Sequence, residues 1–122
     1  MKLYKLFCLV TFSVIFAGTD GSIRGKITTE AGDPLPGQVI VLNESGDVVT
    51  GTSSDFEGTY IILNIQVGLY DVRCTMIGFK TQTIKDVSVG MDKTIWLNFI
   101  LEESAIEGEE VVVTSEKALV EK

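Results

Sequence analysis

The chain has 122 residues, 10 Lys+Arg against 17 Asp+Glu, and a net charge of −7. That length holds one small domain, and the acidic balance lacks the positive footprint of a nucleic-acid binder. With no histidine anywhere, Ser-His-Asp and Cys-His activation, histidine bases and the usual His-containing zinc sites are excluded, which leaves a folded, non-catalytic module.

The first 17 residues read as a secretory signal peptide. Met1-Lys2-Leu3-Tyr4-Lys5 is basic, residues 6–16 are apolar except for Thr11 and Ser13, and Ala17-Gly18 supplies small residues. That order marks an export signal, and an apolar run this short falls well below the ~20 residues a spanning helix needs. Cys8 sits inside the run and not at its end, which argues against lipid attachment. Cleavage near Ala17 removes Lys2, Lys5 and no acid, leaving eight basic residues against the same 17 acidic ones, a net −9. Cys74 is then without a disulfide partner, and its place on an apolar face predicts a buried thiol.

From Gly21 to Glu102 the pattern is β throughout. Residues 22–28 alternate with Ile23 and Ile27 on one side, and residues 38–42 are apolar on both faces. Residues 48–53 are polar and β-branched, as suits an edge, and residues 59–63 form another buried run. In residues 69–76, Tyr70, Val72, Cys74 and Met76 face inward; residues 79–89 are polar and Thr-rich. Residues 94–101 alternate again, with Ile95, Leu97, Phe99 and Leu101 on the core side. Turn clusters separate these runs, and seven strands spaced near ten residues predict an all-β, seven-stranded antiparallel β-sandwich.

The turn residues are more specific. Gly21-Ser22-Ile23-Arg24-Gly25-Lys26-Ile27-Thr28 is followed by Gly32-Asp33-Pro34-Leu35-Pro36-Gly37. Then come Ser54-Asp55-Phe56-Glu57-Gly58-Thr59-Tyr60, Gly68-Leu69-Tyr70 and Met76-Ile77-Gly78-Phe79-Lys80. In this order and spacing the series resembles the carboxypeptidase regulatory-like domain, over residues 21–102. The resemblance implies a transthyretin-like sandwich. Ser54-Asp55 replaces the family's common Thr-Asp, and Gln38 stands where Ala often follows the Pro-Gly turn. Gly32, Gly37, Gly58 and Gly68 are expected at tight or positive-φ turns. Asp55 is expected to bond its own turn, and Tyr60, Tyr70 and Phe79 to form the aromatic part of the core. Asp55 and Glu57 supply too few carboxylates for a calcium cage, so no metal or cofactor is expected.

After Leu101 the composition changes. Residues 103–122 form an acidic linker and tail that contains Glu109-Glu110-Val111-Val112-Val113-Thr114. The β-branched run favours extended backbone, and an extended segment can add to the edge of another protein's sheet. The segment also resembles the Glu-Val-Val-Val-Thr-like stretch that follows this domain in TonB-dependent outer-membrane receptors. The resemblance implies an exported domain on the periplasmic side of the outer membrane, serving nutrient uptake as the N-terminal part of a longer receptor. Glu110, Val111, Val112, Val113 and Thr114 would then contact a TonB-type periplasmic protein or begin the receptor plug. A third reading makes them the last strand of the sandwich itself. The alternative function is a free-standing carbohydrate-binding-like module, for which Trp96 is the candidate stacking residue, although a covered Trp96 is the expectation. No nucleophile–base pair, metal-ligand spacing or phosphate loop suggests catalysis.

Overall fold

The computed structural model describes residues 20–106 and 108–115. The expected signal peptide at 1–17 and residues 116–122 of the tail lie outside the described residues. Among the described residues nine strands follow one another: β1 (Asp20–Thr29), β2 (Gln38–Leu42), β3 (Val48–Ser53), β4 (Thr59–Gln66), β5 (Gly68–Thr75), β6 (Thr81–Val89), β7 (Thr94–Trp96), β8 (Phe99–Leu101) and β9 (Glu110–Thr114). They form two sheets. In the first, β1 is central, with β4 on one side and β7 and β8 in succession on the other; the second runs β3-β2-β5-β6-β9.

The alternation read in the sequence builds the core. Ile23, Ile27, Tyr60, Ile62, Leu97, Phe99 and Leu101 of the first sheet meet Val39, Val41, Val72, Cys74, Ile84 and Val87 of the second. Tyr70, Met76, Phe79 and Ile95 pack against this cluster while only partly buried. The expected all-β sandwich is therefore the fold. Its sheets, however, are mixed: β1 pairs with β7 and β8 in parallel, as does β6 with β9.

Two strand expectations change. Residues 94–101 are two strands, because the chain steps closer to β1 at Leu97 and Asn98. There Leu97 N–H donates to the Arg24 carbonyl (2.9 Å), and Asn98 Oδ1 accepts from the Lys26 N–H (2.9 Å). A Cβ at Gly25 would lie 1.8 Å from the Leu97 carbonyl oxygen, so only glycine admits this approach. The Leu97 carbonyl also accepts the Tyr60 hydroxyl at 2.6 Å, deep in the core. The second change is in β4, expected to be buried on both faces. Tyr60, Ile62 and Ile65 are buried, but Ile61 and Leu63 are exposed, because among the described residues no second layer covers the outer face of the first sheet.

Candidate functional site

Among the described residues, the first part of the tail is built into the domain. Lys80 is the clip. Its N–H donates to the Glu102 carbonyl (2.8 Å), and its ammonium lies 3.0 Å from Glu102 Oε1 and 3.7 Å from Glu109 Oε2. The Glu102 hydrogen bond and charge, then Glu109, hold the Lys80 ammonium above its ordinary pKa. Ser104 N–H donates to the Gly78 carbonyl (2.9 Å), and its hydroxyl meets the Glu109 carboxylate. Residues 102–106, 108 and 109 thus lie back along residues 78–81. Beside it lies an open cleft of about 570 Å³ whose lining includes Pro36, Met76, Ile77, Phe79 and Ile106.

Glu110 to Thr114 then run as β9 beside β6, Thr83 level with Val112 and Ile84 with Val113. Of the three readings of this segment, its own-domain strand is the one the described structure contains; an unattached extended peptide is not. Val113 packs on the core while Val112 is 52% exposed. The Glu110 carboxylate accepts the Thr83 hydroxyl at 2.6 Å and lies 3.9 Å from Arg73 Nε. Ser115 Oγ donates to the Asp86 carbonyl (2.8 Å), where β6 bulges at φ 62°. Hydrogen bonding sets the polarity of the strand. Thr81 N–H reaches the Glu109 carbonyl at 2.8 Å. Bonding alternates along a parallel ladder, so Val111 and Val113 direct their backbone groups to β6 and Val112 directs its own to the open side. Among the described residues nothing pairs with that side.

A second feature occupies the outer face of the first sheet. Ile61, Arg24 and Trp96 stand level across β4, β1 and β7. Trp96 was expected to be covered; it is 60% exposed, because β7 is an edge strand and among the described residues the face has no overlying layer. The Arg24 guanidinium carbon lies 5.3 Å from the indole centroid, a cation–π contact. One row away the Ser22 and Thr94 hydroxyls are 3.1 Å apart. The Arg24 partnership was not noticed in the sequence. Its signal was the phase of β1: with Ile23 and Ile27 inward, Arg24 and Lys26 must point out.

The turn expectations divide. Asp55 Oδ1 accepts the Glu57 and Thr59 N–H groups, both at 2.9 Å, as expected of a turn-bonding aspartate. Gly32 and Gly58 have positive φ, whereas Gly37 and Gly68 do not. Gly37 sits at a close approach instead: a Cβ there would stand 3.1 Å from the Thr75 carbonyl oxygen. Cys74 is a buried free thiol, pushed up to about 12 by desolvation.

The sequence pattern of the carboxypeptidase regulatory-like domain matches residues 22–102, two thirds of the chain. The chain belongs to that family. This carboxypeptidase regulatory-like domain is 31% identical over 98 residues to Colossin-A of Dictyostelium discoideum, a match covering 76% of this chain and 1% of Colossin-A. Among solved structures it resembles a candidate carbohydrate-binding protein from Bacteroides uniformis: 22% identity, TM-score 0.55, 69% of this chain and 42% of that one. It also resembles BcpA, the major pilin subunit of Bacillus cereus: 16% identity, TM-score 0.56, 70% of this chain and 31% of that one. These likenesses describe the sandwich fold, and the chain spans less than half the length of each of these relatives.

Proposed function

We propose that this domain is the exported, non-catalytic N-terminal extension of a TonB-dependent outer-membrane receptor, on the periplasmic side, where it serves nutrient uptake through contact with a TonB-type protein or with the receptor's plug. The observation that carries the reading is β9. An acidic, β-branched segment follows a carboxypeptidase regulatory-like sandwich and lies at a sheet edge with Val112's backbone groups open for strand addition.

The test is binding of the chain to a TonB C-terminal domain. Val112→Pro removes the outward donor and leaves the β6 ladder intact. The expected result is loss of binding without loss of folding; unchanged affinity would count against strand addition.

A second reading, a carbohydrate-binding role, has its own observation. Trp96 is open on a sheet face, as a stacking residue for a sugar ring has to be, and the Bacteroides uniformis neighbour carries that description. Trp96 is the single tryptophan, so its fluorescence reports any saccharide that reaches it.

A further inference from the structure

The charges of the described residues are distributed unevenly. Six cations are described, and Arg73, Lys80 and Lys85 each lie within 4.0 Å of a carboxylate: Glu110, Glu102 with Glu109, and Asp71. All three belong to the second sheet or to the turn leading into β6. Arg24, Lys26 and Lys93 form no ion pair with any described carboxylate, and they belong to the first sheet or to the turn before β7. In a chain of net charge −7, the cations outside ion pairs among the described residues are therefore gathered on one side.

Arg24 and Lys26 share the outer face of β1, roughly 6–7 Å apart along the strand. Arg24 lies over Trp96, with Ile61 level on β4. A guanidinium stacked on an indole keeps its in-plane N–H groups free to donate, and their planar fork matches a carboxylate. Asp20 occupies the same face at the start of β1, roughly 13 Å from Arg24 by strand rise; Ser22 and Thr94 lie between as hydroxyl partners.

We propose that the outer face of the first sheet is a binding site for an acidic saccharide, a chain of uronic acid units. The indole takes the C–H face of a pyranose ring, Arg24 and Lys26 take carboxylates of one ring and its neighbour, and the Ser22–Thr94 pair meets ring hydroxyls. This deepens the carbohydrate reading and rests on it. Charge complementarity selects the occupant. Cations without an ion pair among the described residues, beside an open aromatic, favour an anion with an apolar face, and a neutral glycan would leave both charges unused.

The experiment titrates the full chain with oligogalacturonate, with its methyl ester and with a neutral galactose oligomer, following Trp96 emission and heat of binding. The acid form is expected to saturate, and the ester and neutral forms to bind roughly tenfold more weakly or less. Arg24→Gln with Lys26→Gln should remove that preference, and Trp96→Ala should remove binding by all three. These side chains project from an outer sheet face, and circular dichroism and melting are expected to be unchanged. Equal binding of acid and neutral oligomers would overturn the charge assignment and leave the carbohydrate reading standing. Failure of all three to bind would overturn both. Self-association of the chain that Trp96→Ala abolishes would make the face a contact between copies and overturn the proposal as well.

Discussion

The two sheets use the same rule on their inner faces and opposite rules on their outer faces. Inside, both place an aliphatic or aromatic side chain at every second position and close one core. Outside, the second sheet pairs its charges. Arg73, Thr83 and Glu110 are joined across β5, β6 and β9, Lys85 meets Asp71, and Lys80 holds the returning tail. The first sheet leaves an indole, two cations and the apolar Ile61 and Leu63 open to solvent. Paired charges serve the domain's own integrity and leave the second sheet its β9 backbone edge for a partner. Charge beside an exposed aromatic leaves the first sheet its side chains.

The comparison breaks most severely at its shared hinge, where the first sheet brings Leu97 against β1. Gly25→Ala puts a methyl group into the Leu97 carbonyl. The expected loss is about 4 kcal/mol or more, read from urea unfolding; a loss below about 1 kcal/mol would mean that β7 and β8 need no such approach.

Alkali tests the core common to both sheets. Burial pushes the Cys74 thiol from an ordinary 9.0 to about 12, and it raises the Tyr60 phenol, with Cys74's charge a secondary cause. The folded chain holds these protons after the unfolded chain has released them. Stability is therefore whole below pH 9 and declines toward pH 12, by about 1.4 kcal/mol per pH unit for each such group. Melting temperatures across that window should fall, and Cys74→Ala should flatten the fall.

A proline pair sharpens the view of the second sheet. Val113→Pro removes a donor aimed at β6 and disturbs a core contact, so it should cost about 1–3 kcal/mol and expose the β6 amides to hydrogen exchange. Val112→Pro should leave exchange in β6 unchanged. Identical behaviour of the two variants would contradict the assigned polarity of β9.

The mildest change is Tyr60→Phe, which keeps the ring against Phe99 (centroids 6.1 Å apart) and leaves the Leu97 carbonyl without its hydroxyl donor. A loss of about 1–2 kcal/mol in chemical unfolding is expected.

Much of this was legible in the chain. The inward phase of residues 69–76, the buried Cys74, the polar edge strand β3 and the Asp55 turn follow from alternation and turn chemistry, which act over a few residues. The candidate surfaces were less legible. Trp96 was read as covered because its outward phase was clear but the absence of a covering layer was not. The break between β7 and β8 depends on Gly25, some seventy residues earlier.

Sequence alone determined which side chains face inward, because strand periodicity is a local property of the backbone. The partner of each strand was left to the tertiary structure. The run Glu110–Thr114 is equally suited to a foreign sheet, a plug or its own domain, since backbone hydrogen bonds carry no side-chain identity. What decided it was distance in space: Lys80 and Ser104 bring the tail back to β6, where Thr83, Arg73 and the core beside Val113 meet it.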